Sequence, residues 1–173
     1  MTAVGETMII DAVDQGDSPV GIVPRAEVFA RHANFRVSHV LIFNSQGELL
    51  LQRLALSRNR NPGAWGSSVA SYLFSSETYI QAARRRVGQE LGISDFPLTP
   101  LGKTEMTDEG CLKFISVFQS FAEGPFNYDP SHIDRVEFVP IPEIVRMIER
   151  GNRPFTPTFR QVFRFYRSLQ LAG

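Results

Sequence analysis

The chain has 173 residues, 43% of them hydrophobic, which is enough to bury one substantial core but few for two. Its 18 basic and 18 acidic residues cancel, so the overall charge gives no reason to expect nucleic acid or an anionic membrane as a partner. Cys111 is the only cysteine, which excludes an intramolecular disulfide and fits a reducing compartment. We therefore expect a single domain over residues 1–173, in the cytoplasm and without a membrane span.

Eight apolar segments predict β-strands, and turns rich in Gly, Pro, Asp and Asn separate several of them. In chain order the predicted strands are residues 8–13, 20–23, 35–43, 48–54, 65–70, 98–106, 112–121 and 136–140. The first and second strands are expected to form one antiparallel hairpin, and the third and fourth another. Residues 1–7 precede the first strand and are expected to be loose.

Four segments predict helices. They are a short helix from Pro24 to His32, a helix within residues 71–93, and helices at 142–150 and 156–171. For the second helix, Ser75 or Ser76 is the expected N-cap, Glu77 lies in the first turn, and Gly92 ends the helix. Helical spacing gives it a core face of Ile80, Ala83, Val87 and Leu91, opposite a face of Arg86, Gln89 and Glu90. Strands around an inserted helix, with helices at the end, indicate an α+β or mixed-sheet α/β domain.

Residues 71–93 resemble the Nudix box, G-x5-E-x7-R-E-U-x-E-E-x-G-U, in which U is a bulky aliphatic residue. The positions that fit are Glu77, Arg85, Val87, Glu90, Gly92 and Ile93. The positions that depart from the pattern are Ser71, Arg86 and Gln89. The resemblance implies the fold of that family, an α/β/α sandwich with a mixed β-sheet.

The family resemblance also implies a divalent cation, Mg²⁺ or Mn²⁺, which the acids of the box helix hold against a diphosphate. Here it implies Glu90 and Glu77 as metal ligands. Arg86, however, stands one helical turn before Glu90. A divalent ion about 6 Å from its guanidinium would meet a repulsion of roughly 5 kcal/mol at an effective dielectric of about 20. The box therefore predicts the fold better than it predicts catalysis, and metal binding is expected to be weak.

Further segments are similar to the branch that contains isopentenyl-diphosphate isomerase and its hydrolase-like relatives. They are residues 11–14, 21–27, 43–53, 62–65 and 155–157. The pair Arg85-Arg86 followed by Glu90 matches the box of that branch. Residues that the isomerase needs are nevertheless replaced: its metal histidines by Phe29, Phe35 and Tyr72, its cysteine by Ala70, and an acid by Lys113. Isomerase activity is therefore not expected.

Three arginines fall near positions where that branch places basic residues on a diphosphate: Arg25, Arg58 and Arg86. The resemblance thus implies substrate-binding roles for them, and guanidinium groups bind phosphate oxygens without a metal. For the run Arg84 to Arg86, a solvated face or a contact between the subunits of a homodimer stays open as an alternative. The three histidines, His32, His39 and His132, show no metal-ligand spacing.

Two functions remain open. The first is a hydrolase acting on a diphosphate linked to an unknown moiety, with Glu90 as metal ligand and with Asp108 or Glu109 as the catalytic acid or base. The second is a catalytically degenerate Nudix domain that binds a phosphorylated metabolite or a protein partner. Two or more carboxylates close to Glu90 would favour the enzyme, whereas a lone Glu90 paired with Arg86 would favour the binding domain.

Overall fold

The computed structural model describes residues 8–173, so the expectation that residues 1–7 are loose lies outside the described residues. The strands are β1 Ile9–Val13, β2 Pro19–Pro24, β3 Phe35–Phe43, β4 Leu49–Leu54, β5 Trp65–Gly66, β6 Val69–Tyr72, β7 Thr99–Asp108, β8 Cys111–Phe121 and β9 Ile133–Val139. The helices are α1 Tyr79–Leu91, α2 Ile141–Arg150 and α3 Pro157–Leu171, and a 3-10 helix covers Arg25–Glu27. None of these helices has the length and apolar character needed to cross a bilayer.

Strand β3 lies at the centre of the main sheet. It pairs in parallel with β8, from Phe35 opposite Lys113 to Phe43 opposite Phe121, and antiparallel with β6. The first expected hairpin, β1 with β2, is confirmed as a separate two-stranded sheet. The expected pairing of β3 with β4 is limited to Phe43 opposite Leu49, because β4 pairs along its length with β9. Parallel and antiparallel neighbours together make the sheet mixed, as the resemblance implied.

The two faces of the main sheet carry two separate cores. Alternate side chains of β3 point to opposite faces. Leu41 and Phe43 join a core with α2 and α3, whereas Val40 and Ile42 join a core with α1. The sheet therefore lies between helices on both faces, which confirms the α/β/α sandwich.

Several details of the sequence prediction are wrong. The single strand expected at 65–70 is two strands, because β5 pairs with β4 while β6 pairs with β3. The helix expected after Pro24 is only the short 3-10 turn. Ile80 and Leu169, both expected in the core, are each 39% exposed. In α1 the buried stripe instead includes Ala82, which lies beside Ala83.

Asp17, in the turn between β1 and β2, ties that hairpin to three other elements. Its carboxylate accepts hydrogen bonds from Arg36 Nε of β3 at 2.6 Å and from the Tyr79 hydroxyl of α1 at 2.8 Å, and it also pairs with Lys103 of β7. Burial acts to raise the pKa of Asp17, but the hydrogen bonds from Arg36, Lys103 and Tyr79 outweigh it and lower the pKa. The ionised carboxylate therefore holds the hairpin against the sheet and α1.

Asp17→Asn is expected to lower the free energy of unfolding by about 1–3 kcal/mol at neutral pH, because Arg36 and Lys103 lose their charged acceptor. A carboxyl with a lowered pKa stabilises the fold above its unfolded pKa and loses that contribution as the pH falls through its folded pKa. The difference in the free energy of unfolding between variant and wild type is therefore expected to narrow as the pH falls below the ordinary aspartate pKa of 3.8. Urea denaturation at neutral pH and at pH values below that pKa measures this difference. Asp95→Asn, at an exposed acid, is the control, and a pH-independent difference for Asp17→Asn would contradict the assignment.

Candidate anion-binding site

Helix α1 is fixed at both ends by local hydrogen bonds. Thr78 is the N-cap, and its side chain and that of Gln81 form a reciprocal capping box. Gly92 ends the helix with a left-handed φ of 70°. The expected caps, Ser75 and Ser76, are occupied elsewhere, because the Ser75 hydroxyl and the Ser76 N–H both donate to Asp11 of β1. The helix therefore begins later than its sequence pattern predicted.

Glu77 precedes the helix and closes the loop that leads into it. Its carboxylate accepts hydrogen bonds from Arg85 Nε at 2.8 Å and Arg85 Nη2 at 2.9 Å, and from the Phe74 N–H at 2.9 Å. Burial acts to raise the pKa of Glu77, but the bonds from Arg85 and Phe74 prevail and lower it. Arg85 also donates to the Tyr72 carbonyl, so the pair joins the loop to β6. A metal at Glu77, which stays a prediction, would have to displace Arg85.

Glu90 lies inside the protein, although its helical position predicted the solvated face. It is only 6% exposed because β4 packs beside it. Its Oε1 accepts from Arg86 Nε at 2.7 Å, and its Oε2 accepts from Gln52 Nε2 at 2.8 Å. Gln52 also donates to the Ser68 carbonyl at 3.2 Å, which fixes the amide in place. Sequence reasoning assigned no role to Gln52, whose signal is a polar residue directly after the apolar run Leu49–Leu51 and within a predicted strand.

The other candidate acids, Asp108 and Glu109, contact cations that do not belong to the box helix. Asp108 is 2.7 Å from Lys113 Nζ and 3.1 Å from Arg60 Nη2, and Glu109 is 4.0 Å from the same arginine nitrogen. Within residues 8–173, no group of three or more His, Cys, Asp or Glu side chains is arranged to hold a metal ion. The donors present do not fit Mg²⁺ or Mn²⁺, which take several oxygen ligands. Asp108 and Glu109 as catalytic acids stay a prediction.

Arg58 lies close to Arg25, Arg86 and Glu90, and the three arginines are here called the arginine cluster. Burial lowers the pKa of Arg58, Glu90 opposes that change, and the positive charges of Arg25 and Arg86 lower the pKa further. Arg86 contacts Glu90 directly. The guanidinium of Arg25 lies over the ring of Tyr72, 4.5 Å from its centroid. Together these three arginines and Glu90 carry an excess of positive charge.

A cavity of about 260 Å³ opens beside the cluster. One wall belongs to α1, with Arg86, Gln89 and Glu90, and the other to the segment before β9, with Asp129, His132 and Ile133. Arg58 contacts the second wall, since its Nη1 lies 3.3 Å from His132 Nδ1. Sequence reasoning did not connect Asp129 or His132 with the box. These residues come close to α1 only because β9, which follows them in the chain, pairs with β4.

A larger cavity of about 590 Å³ lies between the β1–β2 hairpin and the start of α1. Its charged side chains are engaged within the protein: Arg36 pairs with Asp17, Glu77 pairs with Arg85, and Asp11 accepts hydrogen bonds from Ser75 and Ser76. In the smaller cavity Arg86 uses only Nε to pair with Glu90, and its terminal nitrogens form no hydrogen bond among the described residues. The smaller cavity beside the arginine cluster is therefore the better candidate for binding an anion.

Aromatic rings occupy the positions where the resemblance places metal-binding histidines in the isomerase. Phe29, Phe35 and Tyr72 do converge, with ring centroids 5.7 Å apart for Phe29 and Phe35 and 5.4 Å apart for Phe35 and Tyr72. Lys113 lies over the ring of Phe35, 5.6 Å from its centroid, and Arg60 lies over the ring of Phe29, 4.7 Å from its centroid. These rings supply apolar packing and cation–π contacts, and they offer no nitrogen or oxygen ligand beyond the Tyr72 hydroxyl.

The fold is an α/β/α domain in which a mixed sheet lies between helices. Cationic side chains beside the inserted helix give this domain a surface suited to an anionic group. The family model described as NUDIX domain matches residues 33–159. The chain is 32% identical to an uncharacterized Nudix hydrolase of Pseudomonas aeruginosa, PA4841, over 95% of this chain and 96% of that protein. It therefore belongs to the Nudix family.

Two further similarities agree with this family. An isopentenyl-diphosphate Delta-isomerase of Streptomyces avermitilis is 28% identical, over 91% of this chain and 82% of that protein. The crystal structure of DR0079 from Deinococcus radiodurans superposes with a TM-score of 0.80 and 26% identity, covering 91% of this chain and 99% of that one. The resemblance of the sequence to the Nudix branch that contains the isomerase is thereby confirmed.

Arg86→Glu is expected to create metal binding in α1, because it places a second carboxylate one turn from Glu90 and removes the nearest cation. Mn²⁺ at millimolar concentration is expected to raise the melting temperature of the variant by about 2–4 °C and to leave the wild type unchanged. Thermal unfolding with and without Mn²⁺ measures it. Arg84→Glu, at an exposed position of the same helix, is the control. An equal rise in the wild type would show that Arg86 does not limit metal binding.

Proposed function

We propose that this Nudix-family protein binds the diphosphate group of a small molecule at the arginine cluster. The observation that carries the proposal is the position of Arg86 in the wall of the cavity, paired with the buried Glu90, with Arg58 close to both and to Arg25. One ion pair, Arg86 with Glu90, uses one of the three positive charges. The two charges that remain complement a diphosphate, which carries several negative charges near neutral pH.

The surroundings of the arginines support phosphate binding in particular. Guanidinium groups present planar sets of N–H donors that match phosphate oxygens. Stacking over Tyr72 orients Arg25 and leaves the edge of its guanidinium available for hydrogen bonds. Burial lowers the pKa of Arg58, which means that its charge lacks part of its normal hydration, and a bound anion would replace that hydration.

The proposal concerns the diphosphate and not an attached base or hydrocarbon. Tyr72 is the aromatic residue nearest to the cluster, but both faces of its ring are covered, one by Phe35 and the other by Arg25. A planar base therefore has no free face of Tyr72 on which to stack. Affinity at this site is expected to come mainly from the charged group.

Wild-type protein is expected to bind inorganic pyrophosphate. Arg58→Ala and Arg25→Ala are each expected to weaken this binding by about tenfold or more, because a charge-assisted hydrogen bond contributes about 1.5–3 kcal/mol. Isothermal titration calorimetry measures the affinities. Arg84→Ala is the matched control, because Arg84 is an exposed arginine of α1 whose guanidinium lies over Phe96. Equal affinity in the control and the cluster variants, or no binding by the wild type, would contradict the proposal.

Hydrolysis of the bound diphosphate is the second candidate function. It is favoured by the family and by the similarity to a protein named as a Nudix hydrolase, together with the position of Glu90 in the wall of the cavity. In this reaction water adds to one phosphorus and the bond to the bridging oxygen breaks, while the arginines offset the negative charge of the phosphates. Nudix proteins generally use divalent cations, but the acids described here do not form a cluster for one.

Glu90→Gln distinguishes the two functions, because it keeps the size of the side chain and removes its negative charge. If the protein is a hydrolase, phosphate release from a panel of nucleotide, sugar, dinucleotide and isoprenoid diphosphates is expected to fall by at least about a hundredfold in the variant. The assay is run with Mg²⁺, with Mn²⁺ and without metal. If neither protein turns over any substrate while the wild type still binds pyrophosphate, the binding function stands and hydrolysis does not.

A further inference from the structure

The backbone of His132 is attached to the loop that carries Arg58. The His132 carbonyl accepts a hydrogen bond from the Ala55 N–H at 3.1 Å, and the Ser131 carbonyl accepts from the Ser57 hydroxyl at 3.5 Å. On the other side, the Asp129 carboxylate accepts from the Ser131 N–H and hydroxyl at 2.9 and 2.7 Å. These contacts hold the imidazole at the wall of the cavity that faces Glu90.

The contact with Arg58 fixes which ring nitrogen of His132 carries the proton. A guanidinium can only donate, so Nδ1, which lies 3.3 Å from Arg58 Nη1, must accept. In the neutral ring the hydrogen is therefore on Nε2. The nearest carboxylate oxygen, Asp129 Oδ2, is 3.9 Å from Nε2, which is beyond hydrogen-bond distance. Nε2–H is thus a donor at the cavity without a hydrogen bond to this carboxylate.

We propose that His132 is a ligand-contacting residue, whose Nε2–H donates a hydrogen bond to a phosphate oxygen of the anion held by the arginine cluster. The inference rests on the proposed diphosphate binding and adds a second wall to that site. The side chain is 52% exposed, so no rearrangement of the fold is needed to reach a ligand in the cavity. Neither the box nor the arginine pattern assigned His132 such a role.

The contact uses the neutral ring, in which Nδ1 accepts from Arg58 and Nε2–H donates to the ligand. The charged groups that face His132 are Arg58 of the β4–β5 loop, Arg86 and Glu90 of α1, and Asp129 of its own segment. A hydrogen bond between neutral groups contributes about 0.5–1.5 kcal/mol, so loss of this donor is expected to weaken anion binding by about two- to tenfold.

Pyrophosphate titrations of wild type and His132→Asn test the contact. The wild type is expected to bind about two- to tenfold more tightly than the variant, because the shorter amide does not place a donor where Nε2–H lies. His32→Asn is the control, since His32 is exposed and lines neither cavity.

A second measurement keeps the test valid if His132→Asn does not fold. The chain has three histidines, of which His39 is buried, whereas His32 is exposed and His132 lines the cavity. In His32→Asn the imidazole signal of a solvent-accessible histidine in a proton NMR spectrum therefore belongs to His132. Pyrophosphate is expected to shift that signal, because a phosphate oxygen then accepts from Nε2–H.

The outcomes separate this inference from the function on which it rests. Tight binding of pyrophosphate that leaves the His132 signal unmoved, or that His132→Asn does not weaken, would overturn the contact and leave the arginine site intact. Absence of pyrophosphate binding by the wild type would overturn both.

Discussion

The rest of the site depends on the contact of Glu90 with Arg86 and Gln52. The contact joins α1 to the sheet, because Arg86 comes from the helix and Gln52 from β4. It also gives each oxygen of the buried carboxylate a hydrogen-bond donor. Removal of one partner from a buried charged pair destabilises a protein by about 3–5 kcal/mol, which makes this arrangement difficult to change one residue at a time. The position of the helix and the charge of the site are therefore set by the same three side chains.

Because Arg86 already neutralises Glu90, the charges of Arg25 and Arg58 have no equal and opposite partner within the cluster. Stacking on Tyr72 holds one of these arginines, and contact with His132 holds the other. Both interactions orient a guanidinium without cancelling its charge. An arrangement of this kind is electrostatically unfavourable until an anion arrives, and that is the physical reason for assigning phosphate chemistry to it.

The sequence predicted local features well and long-range ones poorly. The bounds of β7, β8 and α3 and the end of α1 at Gly92 follow from alternation, spacing and a glycine cap, which depend on neighbouring residues. The pairing of β4 with β9 could not be predicted, because it joins segments about 80 residues apart without a shared pattern. This pairing buries Glu90 and brings His132 to the cavity. The resemblance to the Nudix box supplied the fold that periodicity alone could not.

The arginine at position 86 affects metal and anion binding in opposite directions. Arg86 donates to Glu90 through Nε alone, and among the described residues its two terminal nitrogens make no hydrogen bond. It can therefore keep the pair with Glu90 and present its other donors to a phosphate at the same time. A metal ion at Glu90 would instead have to overcome the positive charge of that guanidinium. The proposed diphosphate binding would use this geometry as it stands, whereas a metal ion at Glu90 would require Arg86 to move, and this difference is the reason for proposing anion recognition at the site.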